Sequence, residues 1–444
     1  MENKGFPRVL ILIQPFNTNT GGGITLSNLF RGWPKDSIAV ACRGYVINRT
    51  TQTDICNQYY QLGQKEQKWI FPFNLIRRKY YSGILDFSLK DDKKIVSKKS
   101  KTRVNFSKKY IDPLLTYLGF SHVLSDLSLS PQFCDWVDDF QPDIIYAQAA
   151  GRSTNAFCAK VQEYLKKPMV FHMMDDWPEL LKEQSLFGKY WHKKIDLEVK
   201  DMLSKCSLHL AISESMAREY KSRYGIDFLT FHNPIDLSFW MKGQKKAYNL
   251  SQNIHILYAG RMGLGIEKSL QIMAKAVTKV NEKSPYKIKF LLQVSEKTDW
   301  MDKYECVEHR SYVAYEELPV HFGNADLLYL PYDFSEKSLK YIKYSMPTKA
   351  SEYMVSGTPI LIFAPKETAL AEYALSYSWA KVVTHPEVDH LAEALKELLD
   401  NQKEREKLAE TAIFLARQKH DAHVVRGKFR EALNGMYCAQ EAAV

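Results

Sequence analysis

The stretch "MPTKASEYMVSGTPILI", residues 346–362, reads as a turn, a short helix, a glycine stop and a buried strand. Ser345 or Thr348 can cap the helix, Gly357 can end it, and Pro359 opens the apolar strand. A helix feeding straight into a core strand belongs to an alternating α/β pattern, and that pattern continues on both sides. Upstream, "IHILYAG" (254–260), "KIKFLLQV" (287–294) and "DLLYLPY" (326–332) are strands. A helix spans about 266–282, and "YEELPVHFG" forms another. Earlier still, strands are expected at "RVLILIQ" (8–14), "SIAVACR" (37–43), "PDIIYAQ" (142–148), "PMVFHMM" (168–174), "LHLAIS" (208–213) and "FLTFHNP", separated mainly by helices. Such alternation predicts parallel sheets with right-handed crossovers. The polar, Pro- and Asn-containing segment 232–253 interrupts it.

The fold class is therefore α/β, with two Rossmann-like domains, 1–235 and 236–444. Ligands of such sheets bind beyond the carboxyl ends of the strands, and two facing domains would hold the site in a cleft between them. Helices fill about 387–436, and the last is expected to cross back to the first domain.

The chain has 444 residues, 45% of them hydrophobic and 25% charged, as in soluble globular proteins. Its apolar runs are strand-sized, well short of the roughly 18 residues of a spanning helix. The N-terminus has too short an apolar stretch for a secretory signal. Seven scattered cysteines without a CxxC pair indicate neither a disulfide frame nor a zinc site. A reduced, cytoplasmic protein without a metal centre is expected.

The net charge of +10 is local. Residues 65–109 hold 14 Lys and Arg against four acids, and the remaining 47 basic and 47 acidic side chains cancel. Trp69, Phe71, Phe73, Tyr80, Tyr81 and Phe106 are interleaved with these cations. That mixture suits an anionic membrane surface, where each Lys or Arg contributes about 1 kcal/mol. A solvated charged insert is the plainer alternative. Nothing resembles a nucleic-acid-binding motif.

Chemistry concentrates at four places. In the opening stretch, Lys349 and Glu352 lie three apart and share a helix face. A helix start with a lysine attracts phosphate, while a carboxylate just inside accepts hydrogen bonds from a ribose diol. A nucleotide would satisfy both, and an exposed salt pair is the competing explanation. In "YAGRMGLGIEKSL" (258–270), Arg261 at a strand end and Lys268 in the next helix can clamp a diphosphate. The glycines of "QPFNTNTGGGITLSNL" (14–29) allow close backbone approach at a helix start, or simply a flexible turn. "VFHMMDDWP" (170–178) puts His172, Asp175 and Asp176 at a strand end. They can meet sugar hydroxyls or supply a base, although a core histidine satisfied by a neighbour fits equally well.

These motifs, with "NADLLYLPY" and "AISESMAREYKSRYG" followed by "HNPID", occur in an order that resembles the GT-B retaining glycosyltransferases of family four. The likeness runs from about residue 8 to 430. It implies a nucleotide-diphosphosugar bound mainly by the C-terminal domain, an acceptor bound mainly by the N-terminal one, and no required metal. By motif match, Arg261 and Lys268 would hold the diphosphate and Glu352 the ribose, as the second glutamate of an E-x7-E pattern. Ser345, Thr348 and Lys349 would lie near the donor, Gly22 and Gly23 at the donor–acceptor junction, and His172 would be the N-domain histidine. One position departs: Tyr344 stands where the first glutamate belongs, with Glu336 upstream as a substitute.

The expectation is a transferase moving a sugar from a nucleotide-diphosphosugar, UDP before GDP, to a glycan or lipid-linked acceptor in surface polysaccharide synthesis. It would act in the cytoplasm, with the inner membrane face as a peripheral location. A nucleotide-sugar epimerase of the same fold and a non-catalytic membrane-associated protein are the alternatives.

Overall fold

The computed structural model of the protein describes residues 6–48, 50–76, 79–87, 112–181, 186–263 and 265–441. Residues 88–109 of the basic segment, with Arg77 and Arg78, lie outside them. Two compact units divide the chain. One comprises Met1–Ile212, Ala217–Phe231 and Arg426–Val444, and the other Ser213–Met216 and His232–Val425.

The first unit is built on strands β1 (Val9–Leu12), β2 (Ile38–Arg43), β3 (Tyr59–Leu62), β4 (Gln67–Trp69), β5 (Gly83–Leu85), β6 (Ser125–Leu127), β7 (Ile144–Ala147), β8 (Met169–Met173), β9 (Leu208–Ala211) and β10 (Leu229–Thr230). Eight of them form one sheet in the order β10-β9-β8-β7-β1-β2-β3-β5. All its pairs are parallel except β3 with β5, and β4 and β6 make a separate antiparallel ribbon. The central strands, "VLIL" and "IIYA", are buried along their whole length, because helices cover both faces of a parallel sheet.

Helix Ala422–Glu441 brings the end of the chain into this unit. Its Phe429 ring meets Phe30, Tyr146 and Phe231 at centroid distances of 5.2, 6.0 and 5.5 Å. Arg426 Nε donates to the carbonyl of Asn28 at 2.6 Å.

The second unit holds β11 (Asn253–Ala259), β12 (Lys287–Gln293), β13 (Val307–Arg310), β14 (Leu327–Pro331), β15 (Ile360–Phe363) and β16 (Lys381–Val383). They form an all-parallel sheet in the order β13-β12-β11-β14-β15-β16. Alternate residues serve opposite faces. Ile254, Ile256, Phe290 and Phe363 pack with Met273 and Leu395 on one side, while Leu257, Leu328 and Ile362 pack with Tyr353 and Leu415 on the other.

Each sheet reverses its direction of growth once, between β1 and β7 in the first unit and between β11 and β14 in the second. Ligands of open α/β sheets bind at the carboxyl ends of strands at such points. Among the described residues, no helix is long and apolar enough to cross a membrane.

Two local expectations are corrected. The glycines at 21–23 are not a flexible turn, because the helix begins with them and runs Gly21–Phe30. Thr20 caps it, its Oγ1 accepting from Gly23 N at 3.2 Å, and Asn17 Oδ1 accepts from Asn19 N and Thr20 N. A Cβ on Gly23 would lie 2.2 Å from Asn17 Nδ2, so this capping geometry requires glycine there. The helix within 346–362 runs Thr348–Ser356 and ends at Gly357 in the left-handed conformation. Pro347 is its N-cap, and no side chain caps it. Thr348 falls inside the helix, and the Ser345 hydroxyl donates to Tyr341 O at 3.3 Å instead.

Candidate functional site

In the second unit, the chain leaves β11 through Gly260 and Arg261. Gly260 N donates to Gln293 O at 2.9 Å, which ties the turn to the end of β12. A Cβ at position 260 would stand 2.2 Å from Lys349 Nζ, so the glycine makes room for the lysine head. Lys349 and Glu352 both lie half-buried on helix Thr348–Ser356. Their electrostatic attraction crosses one helical turn, yet they close no ion pair, and neither side chain has a hydrogen-bond partner among the described residues.

Burial raises the Glu352 carboxyl to about 7, with Lys349 pulling it partly back. Burial likewise lowers the Lys349 ammonium; Glu352 opposes that shift and Arg261 adds to it. Lys349 and Glu352 thus lie half-buried on one helix, with the exposed Arg261 near enough to Lys349 to disfavour its charge. An added diphosphate would relieve the repulsion between the cations, and a diol would meet the carboxylate.

Arg261 is exposed, with Nη2 3.4 Å from the Tyr341 hydroxyl and its guanidinium 5.9 Å from that ring. The preceding strand supports the turn: Tyr258 Oη donates to Arg261 O at 2.6 Å, and Ala259 N donates to Tyr353 Oη at 3.0 Å. Lys268 is exposed at the second position of helix Glu267–Asn281. Asp333, just beyond β14, holds that helix start. Its Oδ1 accepts from Ser269 N at 2.9 Å, while its own N–H donates to Gly265 O at 2.8 Å. The sequence reading missed Asp333, and its placement two residues after the buried run "LLYLP" was the available signal.

Tyr344 is buried, its carbonyl accepting from Ser213 Oγ at 2.7 Å. Lys343 Nζ sits 4.9 Å from its ring centroid. Glu336 opens helix Glu336–Ile342 and is exposed.

The first unit assembles a second cluster at its own switch point. Gly22 lies where a Cβ would come 3.4 Å from Gln148 Oε1 and 3.5 Å from Gln14 Oε1. Gln148 Nε2 donates to Tyr146 Oη at 3.3 Å, and Tyr146 Oη is 2.5 Å from His172 Nδ1. One proton is shared across the Tyr146–His172 contact, and either the hydroxyl or Nδ1 can carry it. Burial lowers His172 to about 3, so the ring is neutral. His172 Nε2 and Gln148 Oε1 are both buried without a hydrogen-bond partner among the described residues. Burial keeps His172 neutral, with Nε2 the ring nitrogen not engaged by Tyr146.

Asp176 does not join this cluster. Its carboxylate accepts from Arg223 Nη1 and Nη2 at 2.8 and 3.1 Å and from Tyr220 Oη at 2.8 Å. Its carboxylate is held in a buried ion pair. Asp175 is half-buried beside it. No group of three or more metal-ligating side chains occurs among the described residues.

Two family models match the chain. The model for glycosyltransferase family 4 matches residues 95–239, and that for glycosyl transferases group 1 matches residues 253–401. No curated protein matches the sequence. Sucrose-phosphate synthase from Thermosynechococcus elongatus superposes with a TM-score of 0.63 at 12% identity, over 97% of this chain and 100% of that one. HepE of Anabaena, solved with UDP and glucose, gives 0.58 at 13% identity, over 96% and 99%. A glycosyltransferase from Rickettsia africae gives 0.59 at 9% identity, over 97% and 98%. With the two parallel sheets and the strand-end cations in place, the protein belongs to the group 1 glycosyltransferases of GT-B fold. It is a sugar-transferring enzyme.

Proposed function

We propose that the protein transfers a sugar, with retention, from a UDP-sugar to a glycan or lipid-linked acceptor of a surface polysaccharide. The observation that carries this reading is the half-buried Lys349 and Glu352, with no ion-pair or hydrogen-bond partner among the described residues, beside the exposed Arg261 at the second sheet's switch point. HepE, a protein of the same fold, was solved with UDP, which supports uracil as the base.

Breaking the bond between sugar and diphosphate builds negative charge on the leaving group. Arg261, Lys268 and Lys349 stabilise that charge, and more strongly in the transition state than in the ground state. Glu352 accepts hydrogen bonds from the ribose. The departing phosphate takes the acceptor's proton, so no dedicated protein base is required. The neutral His172 offers Nε2 for a hydrogen bond with a sugar or acceptor hydroxyl.

The test is to incubate the protein with UDP-glucose and other UDP-sugars, with and without an undecaprenyl-linked saccharide, while following UDP release. UDP release that depends on acceptor, and that falls roughly 100-fold or more in Arg261→Ala, is expected. Free sugar or an epimer formed without acceptor would make the protein an epimerase. No turnover of any donor would make it non-catalytic.

A further inference from the structure

Arg43 is the last residue of β2, and it is half-buried. β1 runs between β2 and β7, with Leu12 paired to Ala41 on one side and to Ala147 on the other. Arg43 Nη2 donates at 2.5 Å to the Oγ of Ser153, on the helix Arg152–Leu165 that follows β7. The guanidinium therefore spans the carboxyl end of β1, at the first sheet's switch point. Nη1 donates to Tyr45 Oη at 3.2 Å, and Nε is buried without a partner among the described residues. Among those residues, two neutral hydroxyls are all that this cation holds. Other half-buried arginines of the unit carry a counter-charge: Arg152 pairs with Glu198, and Arg223 with Asp176. A guanidinium drawn out of water without a carboxylate is costly, and an anionic ligand would remove that cost.

The surroundings call for more than an anion. Helix Arg152–Leu165 starts at Gly151 with no side-chain cap, so its first-turn N–H groups add donors to those of Arg43. Gln148, in the connection from β7 to that helix, is 5% exposed, and its Oε1 has no partner among the described residues. Gln61 of β3 is fully buried beside Gly44, the neighbour of Arg43, where a Cβ would stand 2.9 Å from its Cδ. Its Oε1 is likewise without a partner among the described residues. Amide oxygens of this kind repel a bare anion and take hydroxyl donors instead. One molecule carrying both an acid group and hydroxyls satisfies the arginine and the glutamines together.

We propose that the first unit binds an acidic sugar, with its carboxylate or phosphate on Arg43 and its hydroxyls on the two glutamine oxygens. The inference deepens the transferase reading by making the acceptor anionic, and it rests on that reading for its purpose. Binding of the acid itself requires no donor.

Calorimetric titration of the full chain, with UDP present at high concentration, tests it with four probes: glucose, glucuronate, glucose 6-phosphate and inorganic phosphate. Glucuronate or glucose 6-phosphate should bind about tenfold or more tightly than either glucose or inorganic phosphate. The tighter of the two identifies the acid as a carboxylate or a phosphate. Arg43→Gln should abolish the preference, and Arg43→Lys, which keeps the charge without the fork, should retain part of it. The proposal is overturned if wild type binds none of the four, or binds glucose as tightly as the acids. It is also overturned if inorganic phosphate matches glucose 6-phosphate, or if Arg43→Gln keeps the preference. The wild-type comparison and Arg43→Lys decide the matter even where Arg43→Gln fails to fold. Arg43-dependent binding in a protein that binds no UDP would leave this site standing and remove the donor reading. UDP binding without any preference for acid would remove this site alone.

Discussion

Glu352 concentrates the chemistry of the site in one titration. A carboxyl raised from 4.5 to about 7 holds more protons folded than unfolded between those values. Its contribution to stability therefore falls as pH rises through that window. Binding has the opposite sign, because a ribose diol needs the ionised form. UDP affinity should rise as pH passes through about 7, with a proton released on binding. Calorimetry in buffers of different ionisation enthalpy would detect that proton. In Glu352→Gln both the pH dependence and the proton release should vanish. A wild-type affinity that stays flat across this range would remove the diol-acceptor role. Lys349 and Glu352 were legible as a pair from their spacing alone, whereas the burial that shifts them comes from β11 and its Gly260 turn, far away in sequence.

At the scale of elements, two carboxylates that hold other groups in place give separable predictions. Asp333 fixes the first turn of helix Glu267–Asn281 and so positions Lys268 and the Gly260–Gly265 loop. Asp333→Ala should cost about 1–2 kcal/mol in stability and weaken UDP binding as well. Asp176→Ala removes the most buried of the carboxylates around Arg223, which keeps Glu219 at 2.8 Å, and should cost about 1–3 kcal/mol. UDP affinity should not change, since that ion pair belongs to the first unit. Urea denaturation paired with UDP titration would separate the two, and a donor defect in the Asp176 variant would contradict its structural role.

The core strands were readable because "VLIL", "IIYA" and "ILIF" are buried on both faces and carry no alternation. Edge strands such as "VEHR" and "KVV" were not, because they are short, partly exposed and carry too few apolar residues in a row to stand out. Partners 64 residues apart, like Asp333 and Ser269, leave no local pattern at all.

For the whole molecule, the return of the chain to its first unit is the testable feature. Phe429 closes an aromatic cluster with Phe30 and Tyr146, next to the Tyr146–His172 hydrogen bond. Phe429→Ala should destabilise the first unit by about 3–5 kcal/mol and leave the second nearly untouched. Hydrogen exchange resolved by segment would then show faster opening in β1, β7 and β8 and unchanged protection in β11 and β14. Uniform loss across both units would mean that they do not open separately.

The most direct test of the account is titration of UDP, GDP and ADP into wild type, Lys349→Ala and Glu352→Ala by calorimetry. Selective UDP binding that weakens at least tenfold in both variants is the predicted result. No nucleotide binding in wild type, or UDP binding indifferent to both substitutions, would contradict the donor site at its centre.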